Sequence, residues 1–321
     1  MDVVLLFPGQ GSQKPGMGRD LAEAFPEAAD AFRTCDDALG VPLTRLAFDG
    51  PAEELTRTQN AQPALLAHGA AAWAVTRSRL APFVRAAAGH SLGEFTAYHA
   101  AGALALRDAV RLVRRRGELM AEEGGRRPGA MAALLGDLPE EPLRGLCDRA
   151  SAEAGLVVPA NFNGPGQTVV SGEVAGVERV MELAKEAGVK RAVRLPVSGA
   201  FHSPLMAPAA EGLGKALDDA RFSGLDFPVY ANVNAAPVES PAVARKLLLE
   251  QLTAPVRWTD VVERMAVSFP SALFVEMGPG AVLAGLVKKI APSITTTPCG
   301  TAADVERLFA QLPAPSAAAS A

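Results

Sequence analysis

A short apolar run, Ala86 to Gly89, stops at Gly89-His90-Ser91-Leu92-Gly93 and gives way to helical spacing from Ser91 to Ala103. A strand that turns into a helix this abruptly needs small residues around the turn, and the same geometry exposes the central serine hydroxyl beside backbone amides. The pattern favours an α/β fold whose strands end at a ligand-binding sheet edge. A second segment obeys the same rule. Val3 to Phe7 reads as a buried strand, and Pro8-Gly9-Gln10-Gly11-Ser12-Gln13 forces a turn directly after it. The two loops are expected to face each other across a crevice at the carboxyl edge of a parallel sheet.

Between about Arg127 and Ser198 the pattern becomes that of a compact unit. Met131 to Leu135 reads as a strand, Glu140 to Ala154 as a helix, and Val157 to Phe162 and Thr168 to Ser171 as strands joined by the turn Asn163-Gly164-Pro165-Gly166. Helix Val174 to Ala187 and strand Arg191 to Pro196 complete a β-α-β-β-α-β order, which is that of a ferredoxin-like subdomain. The expected organisation is a large α/β body from residues 1–126 and 199–312, an inserted small subdomain at 127–198, and a frayed tail at 313–321. Strands are also expected at Val229 to Val233 and Leu273 to Met277.

A chain of 321 residues with 49% hydrophobic content buries a core larger than a simple binding module needs. The formal net charge of −4, with basic residues scattered apart from Arg114, Arg115 and Arg116, argues against a nucleic-acid partner. Cys35, Cys147 and Cys299 lie far apart without metal-ligand spacing, which fits a reducing cytoplasm. Neither a signal peptide nor a membrane span is expected from the apolar runs.

A reactive serine needs a base, and the chain has four histidines. His68 lies in an Ala-rich helical stretch and reads as a packed or surface residue. His90 neighbours Ser91, so its side chain should leave the elbow in another direction, as a local support. His99 lies two turns down the helix, too far to take the serine proton. His202 remains, in the loop Ser198-Gly199-Ala200-Phe201-His202-Ser203-Pro204, where a side chain can be aimed into a cleft. A loop histidine is also commonly structural, so by itself it leaves both readings open.

Arg116 is the most informative position. At about 100° per residue, Ala109, Leu112, Val113, Leu119 and Met120 form one apolar face with Arg116 in its middle, whereas Arg114 and Arg115 fall outside it. A guanidinium on a core-facing stripe must meet an anion, because an unpaired buried charge costs several kcal/mol. The anion is either an internal acidic side chain or a substrate carboxylate, which the planar fork can grip bidentately.

Taken together, Gly9-Gln10-Gly11-Ser12-Gln13, Gly89-His90-Ser91-Leu92-Gly93-Glu94, Arg116-Gly117 with Met120, Gly199-Ala200-Phe201-His202-Ser203, and Gln251 before Pro255-Val256-Arg257-Trp258 resemble the malonyl-CoA:acyl-carrier-protein transacylase family. Thr58 to Leu65 and Glu276-Met277-Gly278-Pro279-Gly280 also look like segments of that family, so the resemblance spans nearly the whole chain. It implies a hydrolase-like α/β body carrying a ferredoxin-like insert. Ser91 is implied as nucleophile, His202 as its base and Arg116 as the residue binding the malonyl carboxylate. The backbone amides of Gln10 and Leu92 are implied as the oxyanion hole, and the main-chain carbonyl of Gln251 as the group orienting the histidine.

Phe201 resembles the residue that malonyl-selective relatives carry beside the base. Gly199 departs from the histidine of many malonyl-selective polyketide domains and matches what is common in fatty-acid enzymes. The implied reaction moves malonyl from malonyl-CoA to an acyl carrier protein and requires no metal or organic cofactor. A free-standing polyketide acyltransferase is the alternative, and a serine thioesterase a more distant one. The acidic carrier needs a local basic patch, for which Lys185, Lys190 and Arg191 are candidates. A monomer is expected.

Overall fold

The computed structural model describes residues 1–197 and 199–313. Most of the tail expected to fray, residues 314–321, therefore lies outside the described residues, as does Ser198. Among the described residues ten strands form two sheets: β1 (Val3–Phe7), β2 (Val84–Gly89), β3 (Gly129–Leu135), β4 (Val157–Gly164), β5 (Gln167–Glu173), β6 (Arg191–Arg194), β7 (Val229–Tyr230), β8 (Pro237–Val238), β9 (Leu273–Glu276) and β10 (Thr295–Pro298).

The larger sheet runs β10-β9-β1-β2-β7-β8 and is parallel throughout except for β8. Every residue of β1 is buried, because helices cover both faces of the sheet. Val3, Leu5 and Phe7 point into one core, and Val4 and Leu6 into the other. Each such side chain contributes about 1.5–3 kcal/mol by leaving water, which is why an unbroken apolar run rather than an alternating one marks this strand. On the first face the buried helix Thr58–Leu80 packs against the amphipathic helix Leu106–Arg126.

The smaller sheet is antiparallel with the order β4-β5-β3-β6, the arrangement of a ferredoxin-like unit. Helices Glu140–Ala154 and Val174–Glu186 cover one face around a separate core that includes Leu134, Leu143, Val170 and Val180. The chain at Val256 latches onto β4. The Phe162 amide donates to the Val256 carbonyl at 2.9 Å, and the Val256 amide donates to the Ala160 carbonyl at 2.8 Å. Arg257 adds a link from the larger unit to Glu140 at 3.2 Å.

Three local expectations shift, one of them the strand expected to reach Pro196, which stops at Arg194, and two strands were not expected. The helix expected from Ser91 begins at Gly93 and ends at Ala100, because Ser91 adopts φ 52°, outside the helical region. The strand expected to reach Val233 stops at Tyr230, where the chain turns out of the sheet. β8 and β10 carry too little apolar pattern to be read in advance; β10 is Thr-Thr-Thr-Pro on the sheet edge.

Candidate active site

The parallel register pairs Phe7 with Gly89, so the loops after β1 and β2 open at the same edge. The His90 amide donates to the Phe7 carbonyl at 2.9 Å, tying one loop to the other. A Cβ on Gly93 would come 2.1 Å from the Phe7 carbonyl oxygen, and one on Gly89 would come 1.9 Å from the Gly93 carbonyl carbon. Only glycine lets the elbow close this tightly against β1, a steric demand separate from the positive φ of Ser91.

Ser91 Oγ lies 2.7 Å from His202 Nε2. His202 itself has φ 56° and is buried. Its Nδ1 lies 2.9 Å from the Gln251 carbonyl oxygen. A carbonyl only accepts, so Nδ1 carries the ring hydrogen and Nε2 is left to accept from the serine hydroxyl. Burial, and then the nearby Arg116 charge, pull the His202 pKa down to about 3, so the ring is neutral at ordinary pH.

Arg116, projecting from the helix Leu106–Arg126, is 1% exposed. Its Nη1 donates to Gln62 Oε1 at 2.7 Å, and its Nη2 to Ser91 Oγ and to Gln251 Oε1, each at 3.0 Å. All of these acceptors are neutral. Nε is buried without a partner among the described residues. Of the two anions the sequence left open, the internal acid is therefore not in hydrogen-bond contact; Glu94 acts on Arg116 through the Gln251 amide, whose Nε2 donates to Glu94 Oε2 at 2.6 Å. Burial lowers the guanidinium pKa to about 10, with Glu94 opposing the shift, so the positive charge persists at neutral pH.

A cavity of about 220 Å³ joins these groups. Gln10, Ser91, Leu92, Arg116, Phe201 and His202 all line it, and Met131, Asn161 and Leu195 contribute a wall from the smaller sheet and the segment after it. The Gln10 and Leu92 amides have no acceptor among the described residues, whereas Ser91, Gly93 and Glu94 amides are each bonded. Phe201 is buried, and a Cβ on Gly199 would touch its ring at 2.8 Å.

The other histidines bond elsewhere. His90 Nε2 meets Asn163 Oδ1 at 2.8 Å, His99 Nδ1 meets the Leu104 carbonyl at 3.0 Å, and His68 Nε2 meets the Gly300 carbonyl at 2.9 Å. Sequence reasoning gave no role to Gln62 or to Asn232. Gln62 lies inside a helix with nothing local to mark it. Asn232 is fully buried and reaches the elbow only through sheet pairing.

A serine on a strand-to-helix elbow, a neutral histidine on its hydroxyl and a buried cation beside both, all on a parallel α/β sheet, define the class of serine-dependent acyl-transfer proteins. Residues 4–307 match the family model described as acyl transferase domain. The malonyl CoA-acyl carrier protein transacylase of Bacillus subtilis is 47% identical over 90% of this chain and 90% of its own. That of Escherichia coli is 42% identical over 91% of this chain and 94% of its own. The crystal structure of a malonyl-CoA:acyl carrier protein transacylase from Xanthomonas oryzae superimposes with a TM-score of 0.92 at 41% identity, covering 98% of this chain and all of that one. A malonyl-transacylase solved in complex with its type II PKS acyl-carrier protein matches with a TM-score of 0.90 at 40% identity, over 95% and 98% of the two chains. The chain belongs to the acyl transferase family, and within it to the malonyl CoA-acyl carrier protein transacylases.

Proposed function

We propose that this protein transfers malonyl from coenzyme A to Ser91 and then to the phosphopantetheine thiol of an acyl carrier protein. The observation that carries the reading is the placement of Arg116: a buried guanidinium with only neutral partners, 3.0 Å from the reactive hydroxyl. A charge kept in that state with no acidic group in hydrogen-bond contact is suited to an anionic substrate.

In the first half-reaction His202 Nε2 takes the Ser91 proton while Oγ bonds to the thioester carbon. The Gln10 and Leu92 amides hold the resulting oxyanion, each donor contributing about 3 kcal/mol in such sites. The carbon–sulfur bond then breaks, and His202 returns the proton to the departing coenzyme A sulfur. In the second half the carrier thiol gives its proton to His202 and attacks the acyl-serine, and Ser91 Oγ leaves with that proton. A thiol with a pKa of about 8.5 is an undemanding leaving group, so a histidine oriented by the Gln251 carbonyl serves without a carboxylate.

Arg116 selects dicarboxylic acyl groups, and Phe201 narrows the space beside the base in favour of malonyl. Gly199 favours fatty-acid synthesis as the pathway; the likeness to a malonyl-transacylase bound to a type II PKS carrier supports polyketide supply as the second reading. The chain is read as two functional units, 1–126 with 199–312 for chemistry and 127–198 as the small subdomain, which has a core of its own on its helix-covered face. Lys190 and exposed Arg191, at the edge strand β6 that leads to the cavity wall at Leu195 to Val197, are the proposed carrier contacts, with Lys185 nearby in sequence. The protein is read as a cytoplasmic monomer; among the described residues no helix is long and apolar enough to cross a membrane.

Intact-protein mass spectrometry after mixing with malonyl-CoA tests the reading. A malonyl adduct on Ser91 that persists until carrier is added is expected. No adduct, or rapid loss to water without carrier, favours a hydrolase.

A further inference from the structure

The Ser91 hydroxyl is productive only while the elbow is held in a conformation that serine seldom adopts, φ 52°. Such a conformation persists where the surroundings over-determine it. Gln251 Nε2 donates to the Ser91 carbonyl at 3.0 Å, and one further side chain spans the turn. The Ser91 amide donates to Asn232 Oδ1 at 2.7 Å, and Asn232 Nδ2 donates to the Gly89 carbonyl at 2.7 Å. A backbone N–H can only donate and a carbonyl only accept, so this orientation of the side-chain amide is fixed. Asn232 is fully buried and is itself anchored: its amide donates to Glu94 Oε2 at 3.0 Å, and its carbonyl accepts from the Arg257 amide at 3.0 Å. Its place follows from the sheet. Tyr230 pairs with Ala88, so the chain two residues beyond β7 lies beside the turn that follows β2.

We propose that Asn232 is a positioning residue for acyl transfer: its side-chain amide clamps both sides of the elbow, holds Ser91 in the left-handed conformation and keeps the Ser91 amide out of the oxyanion site. The inference rests on the acyl-transfer reading above. It deepens that reading in one respect. Because the Ser91 N–H is already bonded to Asn232, oxyanion stabilisation must come from other amides, of which Leu92 is adjacent. Loss of the clamp frees the elbow to relax, and Ser91 Oγ then leaves the line between His202 Nε2 at 2.7 Å and Arg116 Nη2 at 3.0 Å.

Two variants test this by single-turnover malonylation of Ser91 and by steady-state transfer to carrier. Asn232→Ala is expected to slow malonylation about 100-fold with the KM for malonyl-CoA within about twofold, the signature of lost alignment rather than lost binding. Asn232→Asp supplies a pH readout. A protonated carboxyl has one donor and one carbonyl acceptor, matching the amide, whereas an ionised one only accepts and repels the Gly89 carbonyl. Malonylation by Asn232→Asp is therefore expected within about tenfold of wild type near pH 6, and to fall at least about tenfold further behind it by pH 9. An alanine variant within about threefold of wild type, a rise in KM at unchanged kcat, or an aspartate profile parallel to that of wild type would overturn the proposal. If Asn232→Ala does not fold, the aspartate profile decides alone. Wild-type protein run alongside separates the two inferences: no malonyl-Ser91 overturns the acyl-transfer reading and this proposal with it, whereas a normal adduct with unimpaired variants overturns only the role of Asn232.

Discussion

Arg116 Nη2 lies 3.0 Å from Ser91 Oγ, so the group proposed to recognise the substrate also touches the group proposed to react with it. A donor on Oγ holds electron density that the nucleophile needs. On the proposed reading, a substrate carboxylate that takes the guanidinium replaces the neutral bonds with charge-assisted ones and leaves Ser91 Oγ bonded to His202 Nε2 alone. Recognition and activation are coupled through one cation on that reading.

Arg116→Ala should cut kcat/KM for malonyl-CoA by about 100-fold or more while changing that for acetyl-CoA by less than about tenfold, because acetyl has no second carboxylate to lose. Arg116→Lys should fall between, since an ammonium keeps the charge but not the planar fork that also meets Gln62 and Gln251. Parallel rates with the two thioesters measure the effect. Equal losses would remove Arg116 from carboxylate recognition.

The pH dependence follows from His202. Its pKa is held at about 3 by burial first and by Arg116 second. The neutral, proton-accepting ring is then present throughout the range about pH 5–8, and kcat/KM should lack the histidine limb otherwise expected near about 6.5. Removing the positive charge in Arg116→Ala favours the protonated ring, so the acid limb should move up towards neutrality. A pH–rate profile of the variant that moved down, or did not move, would contradict this electrostatic coupling.

Stability should fall on the acid side. All four histidines have lowered pKa values, with His68 at about 4 and His202 at about 3, because burial disfavours their charged forms. The unfolded chain therefore takes up protons first, and stability drops as pH falls below about 6.5 towards the folded values. Glu94, raised to about 7 by burial, acts in the opposite sense: its contribution is fully present below about 4.5 and lost as pH rises through 7. Burial raises the Glu276 carboxyl in the same sense, and the four histidines outnumber the two glutamates. At about pH 5, His68 and His202 each remove about 2 kcal/mol, so calorimetry should give a lower unfolding midpoint there than at about pH 7. His68→Asn should flatten the slope by about one proton.

Much of this architecture was legible because it is locally encoded. β1 is buried on both faces and apolar throughout, β2 is so from Ala86 onward, and the small unit shows its order through alternating elements and turns. Arg116 was legible because a charge stands out on an apolar helical face. Its partners were not: Gln62 and Gln251 are neutral amides, and no local pattern says which distant amide a guanidinium meets. Asn232 was silent for the same reason, since its position is set by the pairing of β7 with β2 rather than by its neighbours in sequence. β10 was missed because an edge strand of threonines need not be apolar.

The packing beneath Arg116 makes a last prediction, on Gly117. A Cβ there would lie 2.7 Å from Gln59 Cα and 2.8 Å from the Thr58 carbonyl oxygen, both backbone atoms at the start of the helix Thr58–Leu80. Replacing glycine by alanine inside a helix normally stabilises by about 0.5–1 kcal/mol, but overpacking of this kind costs about 1–3 kcal/mol, and backbone cannot swing aside as a side chain can. Gly117→Ala should therefore be destabilising by about 1–2 kcal/mol in denaturant unfolding. Parting the two helices also stretches the 2.7 Å bond between Arg116 and Gln62, which sit on opposite sides of that contact. Activity with malonyl-CoA should thus fall about tenfold while that with acetyl-CoA changes little. Gly125→Ala is the control. It lies on the same helix with nothing within 4 Å of its Cβ position and should be neutral or stabilising. If both variants behaved alike, helix propensity would outweigh the contact, and the close approach at Gly117 would not be what sets the arginine in place.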